Sequence, residues 1–215
     1  GYNKSNKDSH FSSAAFTPFN LSAKNISVKS GKNILISGGK ITAGMVSVET
    51  SGKLKIETNQ DTSSENTKEE SWGGSLGVDL NTYTQFGINF DLHGSVGNNE
   101  ENSALTTHQS GIFASSIQGT IGGDIELRGA YLIGHSPSDV LKVHGTIYAN
   151  TLEDNKSKNG YVIGGGIGMG VDGRPIGNIN YSSPDFLNYK ATQFATISGL
   201  KIESDSQIIG NLNKL

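Results

Sequence analysis

Ile26-Ser27-Val28 runs through Ser30-Gly31-Lys32 into Ile34-Leu35-Ile36. Twenty residues on, the pattern is written again as Val46-Ser47-Val48, Ser51-Gly52-Lys53 and Leu54-Lys55-Ile56. Both triplets shift by the same step, since 46 − 26 = 20 and 54 − 34 = 20. Each triplet puts its first and third residues on one side, which is the period of a strand. Three residues are too few to stand alone, so the pattern suits one wall of a coil stacked on the next. A fixed period near twenty residues marks a solenoid, in which stacking supplies both the ladder hydrogen bonds and the core. The Leu-x-x-Leu-x-Leu pattern of leucine-rich repeats is missing. These stretches predict an all-β chain: a right-handed parallel β-helix of about 20 residues per coil, with two extra-helical β-hairpin insertions.

The composition agrees with a narrow core served by many short strands and turns. Of 215 residues, 33% are hydrophobic, 29 are Gly and 4 are Pro. A net charge of −3 leaves no basic footprint for nucleic acid. Zero Cys excludes disulfides, thiolate chemistry and Cys-ligated metals. No apolar run reaches the roughly 18 residues of a membrane helix. Gly1 to Ser13 is polar, without the apolar core of a signal peptide, so the chain reads as a fragment excised from something longer.

In chain order, Gly1 to Ser13 reads as a polar arm, and coils occupy about 19–58. Asn59 to Ser71 is a hydrophilic run without core periodicity. Leu76, Val78 and Leu80 then alternate with Ser75, Gly77, Asp79 and Asn81. Beyond a polar loop, Phe86, Ile88, Phe90 and Leu92 alternate with Gly87, Asn89, Asp91 and His93. Two alternating runs around a loop read as an amphipathic hairpin, set in an insertion of about 59–109 that closes through the acidic, Asn-rich Gly97 to Ser103. Coils resume over about 110–152, with turns at Gly122-Gly123-Asp124, Arg128-Gly129 and His144-Gly145. A second insertion, about 153–190, sets Ile163, Ile167, Met169 and Val171 against Gly164, Gly166, Gly168 and Gly170. After Asp172-Gly173-Arg174-Pro175 it returns through Ile176, Ile179 and Tyr181. Ala195-Thr196-Ile197, Leu200-Lys201-Ile202 and Ile208-Ile209-Gly210 restore coil grammar over about 191–212.

Sites of chemistry are sparse. His10, His93, His108, His135 and His144 fall in no His-Glu-x-x-His frame. Asp124 and Glu126 would share a face beside Arg128, and a solvated coil edge explains them better than a catalytic pair. The Gly164 to Gly170 run is read as no nucleotide-binding loop, since no Walker Lys follows it. No catalytic residue, cofactor or metal is expected. The alternating hairpin strands are the sharper feature, because eight to eleven residues with an apolar face is the length of a membrane-crossing β-strand. Leu76, Val78, Leu80, Phe86, Ile88, Phe90, Leu92, Ile163, Ile167, Met169 and Val171 are therefore the candidate membrane- or partner-contact residues. The competing reading is that these faces cover the side of the solenoid.

Several stretches resemble a known family. Ser110-Gly111-Ile112 running on to Gly122-Gly123-Asp124-Ile125-Glu126-Leu127-Arg128-Gly129-Ala130 resembles the haemagglutinin repeats of filamentous-haemagglutinin-type exoproteins, as do Gly38 to Gly44 and Ile56 to Thr62. Thr151-Leu152-Glu153-Asp154, a Gly-rich insert and Ala195-Thr196-Ile197 resemble the repeat region of contact-dependent growth inhibition proteins. Gly210-Asn211-Leu212-Asn213-Lys214 is similar to that family's Gly-Leu-Asn-Arg-Asp ending, with an inserted Asn and Lys in place of Arg. The resemblance implies a secreted Gram-negative exoprotein, exported through an outer-membrane two-partner-secretion transporter and displayed on the cell surface. It also implies a repeat block that aids toxin delivery across the target-cell outer membrane. An adhesin passenger that binds surface glycans or proteins is the alternative, and a β-helical polysaccharide lyase or hydrolase a distant third.

Overall fold

The computed structural model describes the chain except for residues 82–84, 137, 171–173, 184–185, 205–206 and 214–215, and describes only the backbone of 79–81, 85–88 and 213. Among the described residues there are strands and no helix. They are β1 (Tyr2–Ala14), β2 (Phe19–Ser30), β3 (Ile34–Ser37), β4 (Gly39–Thr50), β5 (Leu54–Glu57), β6 (Asp61–Asn81) and β7 (Gln85–Leu105). Then come β8 (Gly111–Ile121), β9 (Ile125–Arg128), β10 (Tyr131–Ile133), β11 (Val140–Val143), β12 (Ile147–Asn150) and β13 (Leu152–Met169). The last are β14 (Pro175–Ser182), β15 (Leu187–Gln193), β16 (Ala195–Ser198), β17 (Lys201–Ser204), β18 (Ile208–Gly210) and β19 (Leu212–Asn213). They form two compact units. One holds Gly1–Ser13, Ser63–Ser103 and Lys156–Tyr189; the other holds Ala14–Thr62, Ala104–Asn155 and Lys190–Leu215.

The second unit is built of parallel ladders. One sheet runs β18-β12-β9-β5-β3, and the other joins β2, β4 and β8 to β10, β11, β16, β17 and β19. The twenty-residue step is the register itself: Ile26 pairs with Val46 and Ile34 with Leu54. The column continues from Leu54 through Ile125 and Ile147 to Ile208. A second column runs Ile36, Ile56, Leu127, Ala149 and Gly210. Alternate residues of each short strand point inward, so Leu54, Ile56, Ile125, Leu127 and Ile147 are fully buried while Leu35 is 59% exposed. Facing them from the other sheet are Val46, Val48, Ile112, Ile117, Leu132 and Leu141. Each such side chain contributes roughly 1.5–3 kcal/mol by leaving water. Gly38 and Gly129 end β3 and β9 with φ of 64° and 55°, a left-handed turn that a Cβ would oppose.

A buried carboxylate gathers the places where the chain leaves and re-enters this unit. Asp154 is 4% exposed. Its Oδ1 accepts from Gln60 Nε2 and from the Thr106 backbone N–H, both at 2.8 Å, and its Oδ2 accepts from Gln193 Nε2 at 2.8 Å. Burial works against ionisation, but hydrogen bonds from Gln60, Gln193 and Thr106 outweigh it and hold the group below the ordinary carboxylate value of 3.8. Nearby, Gln60 also donates to the Glu153 carbonyl, and Thr192 to Glu153 Oε1.

The first unit is one sheet, in the order β1-β6-β7-β13-β14, with β15 also on β13. Constant residue sums show the pairing to be antiparallel. Ser63–Ser103, Ser64–Asn102 and Ser71–Ser95 all sum to 166 across β6 and β7. Ser9–Thr67 and Lys7–Glu69 both sum to 76 across β1 and β6. Two expectations change here. The two hairpins are parts of one shared sheet, and the hydrophilic runs at the start of β6, the end of β7 and in β1 are strand. Those runs lack an apolar alternation because they bury little; cross-strand hydroxyl pairs and the Lys7–Glu69 and Lys156–Glu101 ion pairs line them instead.

Candidate functional site

The antiparallel register decides which side chains share a face. Even residues of β6 and β7 lie together: Trp72 opposite Gly94, Gly74 opposite Leu92, Leu76 opposite Phe90. β13 pairs with β14 so that Ile163 meets Tyr181, Gly165 meets Ile179 and Met169 meets Pro175. Gly164 lies beside Ser95 and Gly166 beside His93, so the odd residues of β13 continue the even face of β7. One face of the sheet is therefore apolar across its strands. The other carries Ser71, Gly73, Ser75, Asn89, Asp91, His93, Asn178 and Asn180.

That apolar face is open. Leu76 is 75% exposed, Ile167 63%, Trp72 61% and Ile179 87%. Glycines at 74, 94 and 165 leave a trough along its centre, an open groove of about 950 Å³ flanked by Tyr2, Trp72, Leu76, Leu92, Ile167 and Ile179. A Cβ at Gly94 would strike the Trp72 ring at 2.7 Å, so the glycine lets the indole lie across the neighbouring strand.

Of the residues singled out from the sequence, Leu76, Val78, Phe90, Leu92, Ile163, Ile167 and Met169 belong to this one face. Leu80, Phe86 and Ile88 lie on β6 and β7, but their side chains fall outside the described residues, as does Val171 altogether. The sequence reading missed four members. Tyr2 sits in a strand that looked like a polar arm. Trp72 borders a hydrophilic run. Ile179 and Tyr181 share the return strand with Ile176, and nothing in composition separates the three; the register puts Ile179 and Tyr181 on the apolar face and sends Ile176, opposite Gly168, to the polar face.

The remaining chemistry is accounted for by structural roles. Asp124 Oδ1 accepts from the Thr146 N–H at 2.8 Å, and Glu126 pairs with Lys53 at 2.7 Å. Gly73-Gly74-Ser75-Leu76-Gly77 matches the Gly-x-Ser-x-Gly frame of hydrolase nucleophiles, yet it runs straight through β6, whereas that frame acts at a strand-to-helix turn. Asp91 Oδ2 lies 2.9 Å from His93 Nδ1 on the polar face, while the ring's far Nε2 edge lies over Gly73 and not at Ser75. Among the described residues, no group of three His, Asp or Glu could hold a metal ion.

Comparison with known proteins agrees with this architecture. Residues 1–165 match the hemagglutinin repeat. The chain is 26% identical over 197 residues to the protein adenylyltransferase and cysteine protease IbpA of Histophilus somni, covering 90% of this chain and 5% of that protein. It is 30% identical over 149 residues to the filamentous hemagglutinin of Bordetella pertussis, covering 64% of this chain and 4% of that one. The chain thus spans about a twentieth of these relatives. No solved structure matches it. Three-quarters of the sequence falls within the matched repeat, and the chain belongs to the hemagglutinin-repeat family.

Proposed function

We propose that this chain is a non-enzymatic structural and delivery segment of a secreted exoprotein displayed on a Gram-negative cell surface. Its export runs through an outer-membrane two-partner-secretion transporter, and its parallel-ladder unit is a right-handed parallel β-helix. Coils over about 19–58, 110–152 and 191–212 carry insertions over about 59–109 and 153–190. The parent is a contact-dependent growth inhibition exoprotein, and this segment helps to carry its toxin across the target cell's outer membrane. A stalk suits reach, since each coil adds one strand spacing of roughly 4.8 Å.

The observation that carries the delivery reading is the exposed apolar face of the antiparallel sheet. Trp72 to Leu80 makes eight residue steps, roughly 27 Å of strand, close to the apolar band of about 25 Å on membrane barrels. Tyr2, Trp72 and Tyr181 stand toward one end of that band, where amphipathic rings favour the headgroup level. Asp124 and Glu126 are bound to Thr146 and Lys53, which suits a coil edge better than a catalytic pair.

Flotation of the full chain with phospholipid and lipopolysaccharide vesicles tests the lipid contact. The chain rises with the vesicles, and the triple variant Trp72→Ser, Leu76→Ser, Ile167→Ser stays behind. Failure of the unaltered chain to float removes the lipid contact. The adhesin reading has its own support in the ladder unit: a cleft of about 260 Å³ lined by Asn20, Lys40, His108, Gln109 and Tyr131, suited in size and polarity to one sugar. Glycan binding that is lost in Lys40→Ala, with no vesicle flotation, favours that alternative.

A further inference from the structure

We propose that β14 is an open pairing edge, and that a second copy of this chain docks there, β14 against β14, antiparallel about a two-fold axis. This inference concerns the edge of the antiparallel sheet and does not need the lipid contact proposed above. Among the described residues, β13 is the one strand paired with β14 along residues 175–182. In an antiparallel ladder every second residue turns its N–H and C=O to one side, so half of the β14 backbone faces away from β13. All eight residues of β14 are exposed.

Sheet edges are ordinarily guarded by charged side chains, by proline, by bulges or by being short. The β14 sequence Pro-Ile-Gly-Asn-Ile-Asn-Tyr-Ser carries no charged residue, and its proline stands at the first position, leaving the rest of the edge able to donate. It is also apolar on both sides, with Ile176 at 63% exposure on one face and Ile179 at 87% on the other. The opposite edge is different. β1 carries Lys4, Lys7 and Asp8, so it is guarded.

This asymmetry selects the occupant. A strand docked head-to-tail, β14 on β1, would leave a new β14 edge at every step and grow without closing. An isologous β14–β14 contact uses the same patch on both copies and is self-complementary. It leaves two charged β1 edges outside, so assembly stops at two. Antiparallel pairing also puts Ile179 and Tyr181 of the two copies on one side, which makes the apolar face continuous across the dimer.

Sedimentation velocity of the full chain in lipid-free buffer across a concentration series tests the inference. A monomer–dimer equilibrium is expected, with amide-exchange protection over 175–182 rising as dimer forms. Adding the missing guard with Ile176→Lys and Asn180→Lys, both on the polar face, should weaken the dimer roughly tenfold or more. Leu76→Ser with Ile167→Ser, which thins the apolar face away from the edge, should leave the dimer intact. A chain that is monomeric throughout overturns the proposal. So does an association that survives the lysines and disappears with the serines, because that is face-to-face stacking. Growth past the dimer overturns it as well. None of these readings depends on vesicles, so failure of the lipid contact is read separately.

Discussion

Asp154 is the residue on which the ladder unit's crossings converge, and its charge is held by donors rather than by a cation. Gln60, Thr106 and Gln193 reach it from three segments that are far apart in sequence. Asp154→Asn would put an amide NH2 either against Gln193 Nε2 or against Gln60 Nε2 and the Thr106 N–H, breaking at least one charge-assisted bond. The expected cost is about 1.5–3 kcal/mol at neutral pH, read from denaturant midpoints. The pH dependence has a definite sign. A carboxylate whose folded pKa lies below its unfolded value contributes stability that is complete above the unfolded value and is lost as pH falls through the folded one. The gap between the natural chain and Asp154→Asn should therefore be full above about pH 5 and close in strong acid. A gap that stays constant to low pH would mean the carboxylate's charge contributes nothing. Gly129 makes a second test at this scale. At φ 55° with Leu152 Cβ 2.7 Å from where a Cβ would stand, Gly129→Ala should cost roughly 1–2 kcal/mol.

Among elements, the short ladder strands and the long sheet strands were legible to different degrees, for a physical reason. β3, β5 and β9 bury alternate residues on one side, so Ile34, Ile36, Leu54, Ile56, Ile125 and Leu127 print a period of two into the sequence. The start of β6 and the end of β7 bury almost no apolar side chain, and hydroxyl and charged pairs leave no such imprint. β1 is exposed along its whole length, so its place beside β6 follows from the partner strand and not from its own composition. The apolar face was half readable. Leu76, Leu92 and Ile167 alternate with polar or glycine neighbours, but the strand order that sets Tyr2 and Ile179 on the same face is a long-range fact. The difference in burial predicts a contrast. Leu127→Ala in β9 removes a fully buried side chain and should cost about 2–5 kcal/mol. Leu35→Ala in β3, whose side chain is mostly exposed, should stay within about 0.5 kcal/mol. Chemical unfolding of both variants, followed by a common spectroscopic signal, checks the pair.

At the scale of the molecule, the ladder unit's core is drawn from that unit alone. Its buried cluster runs from Ile34 to Ile56, from Ile112 to Ala149 and on to Ala195, with Ile197, Ile202 and Leu212 packed against it. None of these residues lies in 63–103 or 156–189. The first inserted segment begins and ends with its strands already paired, since Ser63 and Ser103 hydroxyls are 2.8 Å apart, and within the second Val162 pairs with Ser182. An Asn-Gly turn closes two antiparallel strands at that separation with little strain. A chain with 64–102 replaced by Asn-Gly, and 163–181 replaced likewise between Val162 and Ser182, should therefore keep its ladder core. The expected result is amide-exchange protection in β5, β9 and β12 like that of the full chain, with a smaller denaturant dependence because less surface is exposed on unfolding. Loss of that protection would mean the stacked triplets need the antiparallel sheet to hold them. The proposed stalk role would then fall. Retained protection would show that the ladder unit supports itself, and the proposed lipid contact and β14 edge could then be altered without disturbing the ladder.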